Sequence, residues 1–413
     1  MKKGKVIFIM ALLIVGNLIG AGILALPIQT GGAGLIFSVA AMIVFCGAMY
    51  FSAVTLAREA VDARTDNFNY PSLYQRYLGR FGKWIAIVTN MLILYGLLTA
   101  YLSGGAAIIL GVFGISANST FWQLITVLIL FAGLSAFTMC GTKIIARYNG
   151  ILMIVLGVTF VLIVGIGVVN IKPQRELFFN LGFLPVAVPV ILTAFHFHNI
   201  IPSICRHLEW DIKSIKTTMA VGMGIGFLMN IIWVAVGIGV LPLAIGKHSI
   251  IYAFEHGLPA TVPIAQTMHM PTFSVLATIF ALVAICTSYV ANGMGLIDFN
   301  RDLLENTIGA SGKIIIAGLT FLPPLFVAIF FPQIFLKAIG LVGGVGIAVL
   351  FGVLPAIIFF LKAKTLKARL LAVVMALLFL AALGSDLLND FGIIDSSAAT
   401  GEIKLKAETE NLK

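Results

Sequence analysis

The sequence predicts an all-α integral membrane fold with eleven transmembrane helices. Three observations carry that expectation. The 413 residues are 60% hydrophobic and only 10% charged, whereas a soluble domain carries about 25% charged residues. Apolar stretches of about 20 residues, enough to cross ~30 Å of hydrocarbon, recur along the whole chain. The basic residues are distributed among the connections in the pattern that orients a membrane protein.

The hydrophobic blocks fall at 6–30, 33–57, 84–112, 120–140, 148–170, 182–205, 217–242, 271–297, 314–331, 334–361 and 368–388. They leave no room for a separate soluble domain, so residues 1–413 read as one transmembrane domain. The longest polar segment, Glu59 to Lys83, reads as a loop, and 389–413 as a polar tail. Helices are the default because each backbone polar group must be satisfied within the bilayer, and no segment alternates in polarity as barrel strands do. The N-terminus, with Lys2, Lys3 and Lys5 before an apolar run, imitates a signal peptide. That run continues to Ile28 and contains Asn17 and several glycines, which marks a retained first span.

With the N-terminus placed in the cytoplasm, 19 of the 26 Lys and Arg residues fall on the cytoplasmic side and 7 on the other. This favours an N-in, C-out orientation with an odd number of spans. The formal charge of +10 therefore reflects topology and does not imply a nucleic-acid partner. Leu243 to Met270 reads as an external loop with a short helix. Cys46, Cys140, Cys205 and Cys286 have no metal-ligand spacing and read as small apolar residues.

The first block contains Gly16, Asn17, Gly20, Ala21 and Gly22, three glycines within seven residues at mid-membrane depth. Each glycine weakens a helix by ~1 kcal/mol relative to alanine and lets a ligand approach the backbone. Close helix packing through small residues would produce the same signature. The sixth block shifts the balance. Phe195, His196, Phe197, His198, Asn199 and Pro202 place two histidines, an asparagine and a proline near mid-membrane, where ionisable groups are costly and usually line a cavity. Interrupted helices at matching places in two five-helix halves, 6–170 and 182–361, point to an inverted-repeat transporter with a midplane site. The symmetry rests on position and polarity, since the halves share no residue-level identity, and 368–388 is an additional helix. Amides freed near Gly20 to Ile23 can hold a carboxylate, and carbonyls freed near Gly16 and Ile19 can hold a cation. The combination suits a zwitterionic amino acid with a coupling ion.

Three segments resemble the hydroxy and aromatic amino acid permeases, the bacterial tryptophan and tyrosine permeases of the amino acid–polyamine–organocation superfamily. Gly16 to Pro27 is similar to the first-helix motif, in which Thr is more usual than Asn17. Phe195 to Ser203 is similar to the sixth-helix motif, with His196 and Asn199 where glycines are usual. Thr287-Ser288-Tyr289 through Gly295 to Phe299 is similar to the eighth-helix segment. The resemblance covers essentially the whole chain. It implies a LeuT-type fold with discontinuous helices one and six, in a bacterial cytoplasmic membrane. Substrate would be held by Asn17, Gly20, Ala21, Gly22, Phe195, His196, His198 and Asn199. A coupling cation would lie by Gly16, Ile19, Ala284, Thr287 and Ser288, with His198 as a further coupling group. The implied function is symport of an aromatic amino acid, or of serine or threonine, without a cofactor. The resemblance favours protons, and the Thr287-Ser288 pair keeps sodium open. Such hydroxyls also commonly bond back to the helix carbonyl four residues earlier. No lysine lies in Ile151 to Val169 to replace a sodium ion, and Asp298 and Asp386 read as interface residues. Histidine suits proton exchange, with a reference pKa of ~6.5, though His196 and His198 would serve equally as neutral ligands.

Two rival classes are disfavoured. His196 and His198 are two residues apart and would diverge on a continuous helix, and no Asp-Pro-Gly-Asn motif marks a metal transporter. Paired aspartates, a zinc protease motif and a nucleotide-binding loop are also missing from the sequence. Ser203 and His207 share a helix face, but His207 sits among the interface charges Arg206 and Glu209.

Overall fold

The computed structural model describes residues 3–64, 68–115, 119–140, 142–176, 180–244, 246–304, 312–390 and 401. Most of the polar tail expected at 389–413 lies outside the described residues. Every span expected from hydropathy is helical. The helices are α1 (Lys3–Leu18), α2 (Ala21–Gly31), α3 (Leu35–Ala63), α4 (Tyr70–Val112), α5 (Thr120–Met139), α6 (Thr142–Val169), α7 (Leu184–Ala194), α8 (Ile201–His207) and α9 (Ile212–Val240). After these come the short α10 (Ile250–Glu255) and α11 (Thr261–Met268), then α12 (Pro271–Leu304) and α13 (Gly312–Phe330). The chain closes with α14 (Phe335–Lys362) and α15 (Leu366–Asp390). Among the described residues, ten helices or helix pairs are long and apolar enough to cross a membrane, and α1 with α2 passes as one bent pair.

The polar stretch 59–83 is not a loop. Helix α3 runs to Ala63 and α4 begins at Tyr70. The Ser72 amide donates to Asn69 Oδ1 at 2.9 Å, and Pro71 sits in the first turn. Both are strong helix starts. Gly79 kinks α4 at φ +65°, after which the helix continues. Arg, Lys, Gln and Leu are good helix formers, so polarity here marks helix ends and not irregular chain. The segment from Leu243 to Met270 holds two short helices where one was expected.

The break between α1 and α2 bends the chain by 54°. The Ile19 amide still donates to the Val15 carbonyl at 3.0 Å. Gly20 then leaves helical angles, at φ −128° and ψ −144°. Helix α7 stops at Ala194, a 3-10 turn follows at His198–Ile200, and α8 restarts with Pro202 in its first turn, where a missing N–H costs nothing. The break expected over Gly16 to Gly22 is thus confined to Ile19 and Gly20, and its partner to Phe195–Phe197.

Helix α7 is clamped between two glycines. A Cβ on Gly22 of α2 would lie 2.7 Å from Ala194 Cα. A Cβ on Gly343 of α14 would overlap the Pro189 carbonyl and lie 2.5 Å from Thr193 Oγ1. The turns of α14 are widened to π geometry from Val342 to Val353. The neighbouring Gly344 leaves a notch for Asp386 of α15, whose Oδ2 would lie 2.5 Å from a Cβ there. Asp386 is therefore buried, at 7% exposure, and is not a solvated interface residue. Asp298 is one, paired with Arg301 at 3.0 Å and exposed.

Two ionic ties close the end of the bundle nearest the N-terminus. Lys3 Nζ lies 2.6 Å from Asp211 Oδ2. The lysine's hydrogen bond, with a second from Ser214, holds the Asp211 carboxyl below the usual carboxylate range. The tie is present at neutral pH and is lost as pH falls through that lowered value. Across the bundle, Glu59 is buried, and Tyr77 donates to its Oε2 at 2.7 Å. Lys362 donates to Glu59 Oε1 at 2.7 Å and to Asp62 at 3.1 Å. Removing the lysine leaves a buried carboxylate with one neutral donor. Because Lys362 is half exposed, Lys362→Ala is expected to cost about 1–2 kcal/mol, less than a fully buried pair. A lowered melting temperature, partly restored by adding Glu59→Gln, is the expected readout; no change would show that water already satisfies Glu59.

Candidate functional site

The two helix breaks face one cavity of about 350 Å³. Its wall is built from α1 and α2 by Gly16, Asn17, Gly20, Ala21 and Gly22. Thr193 and His196 close it from the second break, and Thr287, Ser288 and Asn292 from α12. Tyr101 of α4 completes the polar part. The cavity extends along Ile9, Leu12 and Leu13, toward the N-terminal end of α1. On the far side Ile23, Leu24, Ala25 and Leu26 are fully buried, so the packed α2–α7 pair seals the opposite end.

The chemistry follows from where α2 starts. The first amides of a helix have no intrahelical partner, and the residue before this one is Gly20, with no side chain to cap them. The Tyr101 hydroxyl fills the gap. It is hydrogen-bonded to the Ala21 backbone and to the Ser288 side chain. Asn292 Nδ2 approaches the same hydroxyl at 3.4 Å and donates to the Ser288 carbonyl at 2.8 Å. A Cβ on Gly20 would point at this cluster, 3.0 Å from Ser288 Oγ and 3.6 Å from Tyr101 Oη. The start of α2, with its partial positive charge, is thus surrounded by polar groups that a carboxylate can join.

The residues proposed from sequence divide into two groups. Asn17, Gly20, Ala21, Gly22 and His196 share the cavity wall, as do Gly16, Thr287 and Ser288. Phe195, His198, Asn199, Ile19 and Ala284 are not on it. Phe195 is fully buried against Phe227, with ring centroids 6.1 Å apart. Asn199 is exposed. Ala284 is buried, and its carbonyl accepts the Thr287 hydroxyl at 3.2 Å. Thr287 also donates to Val283 at 2.9 Å, so this hydroxyl bonds back to its own helix. His198 turns behind the break, fully buried, and its backbone carbonyl accepts from the Tyr70 hydroxyl. Its ring is parallel to that of His196 at 5.9 Å, and both rings contact Phe351 at 5.0 Å. Apart from the Met49 backbone, no group among the described residues partners the ring nitrogens of His198.

Sequence reasoning missed Tyr101 and Asn292. Tyr101 lies in an apolar helix without distinctive spacing. Asn292 did carry a signal, since Ser288 and Asn292, four apart, put two polar groups on one face of a membrane helix.

Comparison with known proteins gives this geometry a family. The model of the tryptophan/tyrosine permease family matches residues 3–383. The chain belongs to that family. The permease is similar to tyrosine-specific transport system 1 of Haemophilus influenzae, with 28% identity over 80% of this chain and 82% of that one. It is also similar to the tryptophan-specific transport protein of the same organism, with 27% identity over 81% and 82%. Among solved structures its fold matches MhsT in complex with L-phenylalanine, with a TM-score of 0.62, 13% identity, and coverage of 92% of this chain and 97% of that one. At that identity the likeness establishes the fold alone. The permease is a multi-pass membrane protein and not an enzyme.

Proposed function

We propose that the permease imports an aromatic amino acid, tryptophan or tyrosine, by proton symport across the bacterial cytoplasmic membrane. The observation that carries this reading is the start of α2, which has no side-chain cap from Gly20 and opens into a cavity shared with the second break. Its amides take the substrate carboxylate, beside Tyr101 and Ser288. The names of the two relatives support the aromatic substrate. Eleven spans in two inverted five-helix halves, with the N-terminus inside, fit the described helices. In that orientation the cavity runs toward the cytoplasm.

His196 supports protons over sodium. Among the described residues it is the only titratable group on the cavity wall besides Tyr101. The Thr287 hydroxyl, a sodium ligand in the alternative, is spent on its own helix. His198, stacked behind His196, is placed to hold that ring. Uptake of radiolabelled tryptophan, tyrosine, phenylalanine, serine and threonine into proteoliposomes tests the reading. The expected result is accumulation of tryptophan or tyrosine driven by an acid-outside gradient. Accumulation driven only by sodium would replace the ion, serine or threonine uptake would replace the substrate, and no uptake under either gradient would overturn the proposal. His196→Gln is expected to retain binding and lose proton-driven accumulation. An unchanged accumulation ratio would remove His196 from coupling.

A further inference from the structure

The start of α4 has two faces. The inner face is tied to the second helix break and to its neighbour. The Tyr70 hydroxyl donates to the His198 carbonyl, and the Tyr74 hydroxyl donates to the Leu350 carbonyl, in the widened turns of α14, at 2.6 Å. Both tyrosines are buried. The outer face carries Arg76 and Arg80, both exposed, and Lys83, half-buried. Among the described residues none of these three cations has an acidic partner. The carboxylates at this end of the bundle are committed elsewhere: Glu59 accepts from Tyr77 and Lys362, and Asp62 from Lys362.

The same turns also present apolar surface. Phe81 is 76% exposed and Trp84 63%. Val88, one turn further on, is exposed as well. Phe81, Trp84 and Val88 are three and four residues apart, so they form one strip along the helix. Arg80 and Lys83 stand beside it, four and one residues before Trp84. An exposed indole next to cations, with an apolar strip leading into the span, marks the boundary between membrane and water. Gly79 bends the helix between Arg76 and Arg80, at φ +65°. Nothing lies within 4 Å of a Cβ there, so no neighbouring side chain braces the bend. A ligand that bridges Arg76 and Arg80 would brace it.

We propose that this face docks an anionic phospholipid from the leaflet at the N-terminal end of the bundle. Arg76, Arg80 and Lys83 hold its phosphate, and its acyl chain lies along Phe81, Trp84 and Val88. By bracing the bend at Gly79, the lipid steadies the second break through Tyr70. The chemistry selects the class. Three cations without acidic partners call for an anion, and a zwitterionic headgroup would bring them an ammonium. Free phosphate would leave the apolar strip unused, whereas a phospholipid meets both parts. The proposal is independent of the substrate and of the coupling ion.

The test uses purified full-length permease in nanodiscs of mixed phosphatidylglycerol and phosphatidylcholine, with native mass spectrometry of the lipids retained. Each Lys or Arg near an anionic surface contributes about fivefold in affinity. The wild type is therefore expected to retain phosphatidylglycerol at least about tenfold over phosphatidylcholine. The triple variant Arg76→Gln, Arg80→Gln, Lys83→Gln is expected to lose that preference, and Trp84→Ala to weaken it. The control triple Lys364→Gln, Lys367→Gln, Arg369→Gln removes three exposed cations from the same end of the bundle and is expected to keep it. Hydrogen exchange reads the link to the break. The Ile200 amide, which donates to the Phe197 carbonyl at 3.1 Å, is expected to exchange more slowly in phosphatidylglycerol than in phosphatidylcholine. Tyr70→Phe is expected to keep the lipid preference and lose that difference. No preference in the wild type, or equal losses in the two triple variants, would overturn the site. Displacement of the lipid by millimolar inorganic phosphate, with Trp84→Ala unchanged, would overturn the lipid in favour of a simple anion. An exchange difference kept in Tyr70→Phe would overturn the link to the second break.

Discussion

Gly343→Ala is expected to destabilise the permease by about 2 kcal/mol, the middle of the range for overpacking a dense interior. The added methyl would meet the Pro189 carbonyl, a backbone atom that no rotamer change can move aside. Gly22→Ala attacks the other face of α7, where a Cβ would lie 2.8 Å from the Ala194 nitrogen and 2.7 Å from its Cα. Both substitutions push α7 away from a neighbour. Gly224 of α9 is the matched control: nothing lies within 4 Å of a Cβ there, and alanine is the better helix former by ~1 kcal/mol. In thermal unfolding, Gly343→Ala and Gly22→Ala should melt about 2 °C lower, while Gly224→Ala should melt unchanged or higher. Equal melting temperatures for all three would show that α7 is not clamped. The result also assigns a role to Gly22. It lines the cavity, but its missing side chain is required first by the backbone of the second broken helix. Gly20 is the glycine whose missing side chain leaves room for a ligand.

That division was beyond the sequence. Three glycines at mid-membrane depth announced a break, because helix weakening is a local property that composition reports. Which glycine faced a ligand and which faced a helix depends on the 54° bend, which no periodicity encodes. The span positions were legible for the same local reason, since hydrocarbon thickness sets an apolar run length. The stretch Glu59 to Lys83 was misread because charge was equated with loop, although Tyr70 to Lys83 holds good helix formers behind an Asn69–Pro71 start. Asp386 was misread because a residue near a span's end is ordinarily solvated. Its burial comes from the Gly344 notch on a helix more than forty residues away in sequence. In the second break, alternating aromatics and histidines signalled a special segment without showing the fold of the turn. Once the chain leaves helical angles at Phe195, neighbouring side chains diverge: His196 reaches the cavity while Phe195 and His198 turn into the core.

Tyr101→Phe is expected to weaken substrate binding about 10- to 100-fold, because hydrogen bonds to charged groups contribute about 1.5–3 kcal/mol. Without substrate the hydroxyl stands at the Ala21 backbone and Ser288, the place assigned to the carboxylate. An arriving carboxylate takes the amides of α2, and the hydroxyl turns from satisfying those amides to donating to the anion. The phenyl ring fits the same space, so packing is retained and the loss reports the hydroxyl alone. Ser288→Ala should weaken binding less, since Ser288 is neutral and Tyr101 and Asn292 remain beside it. Thr287→Val lines the same cavity but removes a hydroxyl already bonded to Val283 and Ala284, and should change affinity less than threefold. Equilibrium binding and the KM for uptake would rank the three variants. The order Tyr101→Phe, then Ser288→Ala, then Thr287→Val is what a carboxylate at the start of α2 requires. A larger loss in Thr287→Val, accompanied by sodium dependence of binding, would instead place a cation at Thr287 and return the eighth-helix pair to the coupling role that its family resemblance left open.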